Sequence, residues 1–199
     1  MHALPAGFRV ASILDLTHND RMLLLLNVVG LGLFFIFSAM FTVILFRLRP
    51  FEAQTALTIG INSLADGVRI CVWFLLVNVA MVFLHEGAHG LCFAFFTRSR
   101  PVFGFRWYLA FASAPGWYLP RGQYLITALA PLVLISCLGF WALSALPVAW
   151  LQPVLVLMVL NASGSVGDLL VAVLLLRQPP GCLALDEGER VTLFIPGEA

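Results

Sequence analysis

Four stretches of this sequence are apolar for long enough to cross a lipid bilayer, which takes about 20 helical residues: Met22 to Phe46, Ile70 to Phe96, Tyr124 to Leu146, and Pro153 to Leu176. In hydrocarbon the backbone has no water to bond, so such stretches must satisfy their own N–H and C=O groups as helices. With 61% hydrophobic and 11% charged residues and a mean hydropathy of +1.00, the chain reads as an all-α integral membrane protein. The pattern predicts a lead-in over 1–21, one four-helix membrane domain over 22–176, and a tail over 177–199.

All eleven basic residues are arginine, and a net charge of +1 gives no basic field suited to nucleic acid. Four crossings put Arg9, Arg21, Arg98, Arg100, Arg106, Arg121, Arg177 and Arg190 on one side, against Arg47, Arg49 and Arg69 on the other. By the positive-inside rule the arginine-rich side, with both termini, is cytoplasmic. The four cysteines form no C-x-x-C pair, and neither a disulfide nor a metal is assigned to them.

Against this apolar background the second stretch carries His85-Glu86-Gly87-Ala88-His89. On a helix the two histidines stand at i and i+4, so both rings leave one face and can share a metal ion, with Glu86 beside them as a base for water. Charged and ligating groups in hydrocarbon mark function by default. The fourth stretch carries the other intramembrane charge, Asp168, with Asn161 and Ser165 at i−7 and i−3 on the same helix face. The second and fourth spans run in the same direction. At about 1.5 Å per residue, His85, His89 and Asp168 fall at nearly one depth. Two imidazoles and one carboxylate leave an open position, as in a catalytic zinc site.

The remaining segments read as support. Thr17 and Asp20 suit a capping box ahead of the first span, and His2 and His18 have no partner at helical spacing. Residues 51–66 read as a short interfacial helix or a loop. Phe103 to Phe111 is rich in strand formers and predicts a short hairpin at the interface. Its edge suits pairing with an extended peptide, whereas Trp107, Tyr108, Trp117 and Tyr118 equally suit an aromatic belt. Pro131 should kink the third span or open a gap in its hydrogen-bond ladder, for packing. The tail predicts a small hairpin, Leu183–Leu185 with Val191–Ile195.

His85-Glu86-x-x-His89-Gly90, Leu129-Ala130-Pro131 and the Asn161 to Asp168 stretch together resemble the site-2-protease type of intramembrane zinc metalloprotease, and within it the bacterial zincin peptidases of the membrane. The resemblance covers about half of the chain. It implies a bacterial cell-membrane protein whose last three spans form the catalytic core, with a zinc ion near the cytoplasmic side. His85, His89 and Asp168 would then be ligands, Glu86 the general base and Asn161 a stabiliser of the oxyanion, acting on membrane protein or peptide substrates. The alternative is a non-catalytic membrane protein that binds transmembrane partners or metal. The base at Glu86 favours the enzyme, because holding metal needs ligands alone.

Overall fold

The computed structural model describes residues 1–15, 19–106 and 109–197. In chain order the elements are β1 (Phe8–Asp15), α1 (Asp20–Leu48), α2 (Pro50–Leu57), α3 (Leu64–Thr97), β2 (Val102–Arg106), β3 (Leu109–Ser113), β4 (Tyr118–Pro120), α4 (Arg121–Ala145), a 3-10 turn (Val148–Trp150), α5 (Leu151–Gly164), α6 (Val166–Leu176), β5 (Leu183–Asp186) and β6 (Arg190–Pro196). Helices α1, α3 and α4 are long and apolar enough to cross a membrane, and the bent segment running from the 3-10 turn through α6 could make a fourth span. Only 6% of the most apolar window of α3 is buried. Its Leu75, Leu76, Phe83, Leu91 and Phe95 are exposed, an apolar surface consistent with a membrane protein.

Local chemistry sets the helix ends. Asn19 Oδ1 accepts the Met22 N–H at 3.0 Å, so Asn19 caps α1 and Asp20 is its first residue. The expected cap, Thr17, lies outside the described residues, as does His18. Ser63 Oγ accepts the Asp66 N–H at 3.2 Å, while Asp66 Oδ2 accepts the Ser63 hydroxyl at 2.9 Å. That cap starts α3 at Leu64, ahead of the start expected at Ile70. The helix stops where Arg98 turns left-handed, at φ 54°. The 51–66 region forms α2, with Pro50 in its first turn, followed by an irregular link.

The described residues are mostly helical with small antiparallel sheets, and the sheet is larger than the two expected hairpins. The expected tail hairpin is present as β5–β6, but it sits inside a four-stranded antiparallel sheet of order β1-β6-β5-β4. The N-terminal lead-in supplies β1, paired with β6 from Phe8↔Pro196 to Asp15↔Arg190. Such pairing joins opposite ends of the sequence, so no local pattern announces it. The hairpin expected near Phe105 is β2–β3, in register from Val102↔Ser113 to Arg106↔Leu109. Trp107 and Tyr108 lie outside the described residues.

The stretch expected as a fourth span, Pro153 to Leu176, is not one straight helix. It breaks at Ser165 with a bend of 43°. Ser163 Oγ donates to the Val159 carbonyl at 2.8 Å and Ser165 Oγ to the Asn161 carbonyl at 2.9 Å. Serine hydroxyls bonded back onto the helix, next to Gly164 and Gly167, favour such a bend.

The chain divides into two compact units, one of Met1–Val28, Glu86–Pro131 and Val166–Ala199, the other of Val29–His85 and Leu132–Ser165. In the first, Phe93, Leu119, Tyr124, Leu175, Cys182 and Leu193 are buried together, which fixes the four-stranded sheet on α3, α4 and α6. In the second, Phe41, Leu45, Leu143, Leu155 and Met158 form the core, and Phe41 meets Phe140 edge-on at 5.4 Å. All four cysteines are free.

Candidate metal centre

His85, Glu86 and His89 lie well inside α3, so the i, i+4 spacing places the two rings one turn apart on one face. Each ring is held from behind. His85 Nδ1 is 3.0 Å from Asn161 Oδ1, and Asn161 is fully buried at the end of α5. His89 Nδ1 is 2.9 Å from the Thr127 backbone carbonyl in α4. A carbonyl only accepts, so His89 Nδ1 carries the proton and donates it.

The other edge of His89 faces α6. Its Nε2 lies 3.3 Å from Asp168 Oδ1, with the two side chains 11% and 21% exposed. Asp168 belongs to the first turn of α6, where the positive end of the helix dipole favours a carboxylate. One ligand atom from each of His85, His89 and Asp168 can be chosen so that all lie within 4.8 Å of one another. With Nδ1 protonated, Nε2 and Oδ1 present lone pairs to each other across 3.3 Å. Such a contact requires a proton or a cation between them. The donor set of two imidazoles and a carboxylate fits zinc, and the bonds to Asn161 and Thr127 are the kind that orient ligating imidazoles.

Glu86, half-buried, follows His85 directly on α3. Asn161, expected to serve an oxyanion, has its Oδ1 on His85. The structure thus brings His85, His89 and Asp168 together, and sets Asn161 against His85.

Sequence reasoning missed three residues around the site. Thr127 was not singled out because its backbone, not its side chain, makes the contact. Tyr124, in the first turn of α4, donates its hydroxyl to Asp186 Oδ2 at 2.6 Å, and Asp186 Oδ1 accepts the Gly188 N–H at 2.7 Å. Asp186 is only 8% exposed and Tyr124 4%. Burial pushes the Asp186 carboxyl up to about 6, against the bonds from Tyr124 and Gly188 that lower it; it also feels the charges of His89 and Glu86. Read in sequence, Asp186 is one of several acids in a polar tail.

The β2–β3 hairpin approaches α3 beside the motif, through Phe103. Gly90 directly follows His89, and a Cβ there would meet the Phe103 ring at 2.5 Å. Glycine is therefore what lets β2 close onto α3 beside the motif. Trp117 and Tyr118 make ring contacts with His2 and Phe194, at 3.8 and 5.4 Å.

The model of a family described as "Putative zincin peptidase" matches residues 78–183, more than half of the chain, including His85, Glu86, His89, Thr127, Asn161 and Asp168. No curated protein and no solved structure matches the chain.

Proposed function

The chain belongs to that zincin peptidase family, and from this premise we propose that it is an intramembrane zinc metallopeptidase of the site-2-protease type, cleaving peptide bonds of membrane-embedded substrates. The observation that carries the reading is the facing of His89 Nε2 and Asp168 Oδ1 at 3.3 Å, one helical turn from His85. These three residues are the proposed ligands. When bound, zinc supplies a Lewis acid and lowers the pKa of its water towards about 7.

The chain's own groups do the rest. Glu86 takes the proton from the attacking water and delivers it to the leaving amine. Asn161 holds His85 through Oδ1, and its amide N–H groups are the donors for the oxyanion. An unwound transmembrane substrate has backbone groups that lipid cannot satisfy. The outer edge of β2 offers strand pairing to such a segment; among the described residues β2 pairs only with β3, and its Phe103 and Phe105 are exposed. The outward apolar faces of α1 and α3 support a bilayer setting, and the arginine distribution supports cytoplasmic termini.

The test is the metal content of the purified protein in detergent, beside His85→Ala and Asp168→Ala. About one zinc per chain, lost in both variants, is the expected result. A wild-type protein that takes up no metal when zinc is supplied would instead make His89 and Asp168 a buried ion pair, and would point to a non-catalytic protein.

A further inference from the structure

Helix α4 runs unbroken from Arg121 to Ala145 with Pro131 inside it. In a helix the carbonyl of residue i accepts the N–H of residue i+4. For Thr127 that residue is Pro131, which has no N–H. Water is no substitute donor here. Thr127 is 1% exposed, Pro131 is fully buried, and Ala128 and Ala130 are buried between them. The Thr127 hydroxyl is engaged elsewhere, donating to the Gln123 carbonyl at 3.0 Å. What meets the Thr127 carbonyl is His89 Nδ1, at 2.9 Å.

We propose that Pro131 is a positioning residue: by withholding the helix donor it dedicates the Thr127 carbonyl to His89, and so fixes the imidazole as its Nδ1–H tautomer with Nε2 towards Asp168. A buried carbonyl without a donor is unfavourable by about 1–3 kcal/mol, so the imidazole N–H is drawn to it. The specificity lies in the position. A proline anywhere in the middle of α4 would bend the helix, but only residue 131 stands four after Thr127. The consequence for metal binding rests on the metallopeptidase reading; the tautomer does not.

Pro131→Ala restores the missing N–H and makes it compete for the Thr127 carbonyl. Nitrogen-15 spectra of the histidine-labelled, metal-free protein, with His89 assigned from a His89→Gln sample, report the tautomer at about pH 9, above the ordinary imidazole pKa. The wild type should show Nδ1–H alone, and Pro131→Ala a mixture with Nε2–H. Zinc affinity, measured by competition with a chelator, should fall about 10–100-fold, as for loss of other ligand-orienting bonds. The metal-free variant should melt no lower than the wild type, because a helix bond is regained; a proline needed only for packing would give the opposite. An Nε2–H tautomer in the wild type overturns the inference without any variant, and so does a Pro131→Ala protein with unchanged tautomer and affinity. A wild type that shows the Nδ1–H tautomer but binds no zinc refutes the metallopeptidase reading and leaves this inference standing.

Discussion

Asp168 and His89 face each other at 3.3 Å from two helices, α6 and α3, whose sequences lie far apart. The His89 ring is pinned on its other side by the Thr127 carbonyl at 2.9 Å. The pair therefore has one nitrogen and one oxygen left to share a cation.

That geometry separates holding metal from using it. Glu86→Gln should retain about one zinc per chain and lose cleavage of a transmembrane peptide by several orders of magnitude, since the base is removed and the ligands remain. Asp168→Ala should lose both. Elemental analysis beside a cleavage assay reads the two effects; full activity in Glu86→Gln would sink the mechanism.

Asn161→Ala removes the partner of His85 Nδ1 at a fully buried position. Zinc affinity should fall about 10–100-fold. Cleavage at saturating zinc should fall further, because the oxyanion donors go too. Equal losses in the two measurements would confine Asn161 to orienting His85.

A side chain at Gly90 must displace Phe103, whose ring it would meet at 2.5 Å. Gly90→Ala should keep its zinc while cleavage drops, and Gly90→Ala combined with Phe103→Ala should recover part of the loss, a coupling that a double-mutant cycle measures. Additive losses would separate Phe103 from Gly90.

The Asp186 carboxyl gives a stability prediction with a definite sign. Its pKa in the folded protein is about 6, above the ordinary 3.8, so the folded state binds the extra proton between these values. Stability of the metal-free protein should therefore fall as pH rises through this window. The difference is on the order of 3 kcal/mol, fully present above pH 6 and absent below 3.8. Asp186→Asn should flatten that part of the pH profile of thermal melting in detergent. A variant with the wild-type slope would show that other groups set it.

Much of this protein follows from residue type and spacing alone. A bilayer-length apolar run with no water for its backbone has to be helical, which makes the long helices legible from Met22 onward. The i, i+4 rule puts His85 and His89 on one face before any fold is known. Even the depth match of Asp168 follows from helical rise. What the tertiary structure decided depends on partners remote in sequence. β1 exists because β6 lies beside it, and the 1–21 segment shows no sign of this. The break at Ser165 arises from hydroxyls that turn back onto their own helix, one of two outcomes open to any serine there. Pro131 illustrates the division most clearly. The sequence by itself determines that Thr127 lacks its helical donor, because proline has no N–H; that His89 supplies the replacement depends on which helix packs against α4, and only the folded chain decides that.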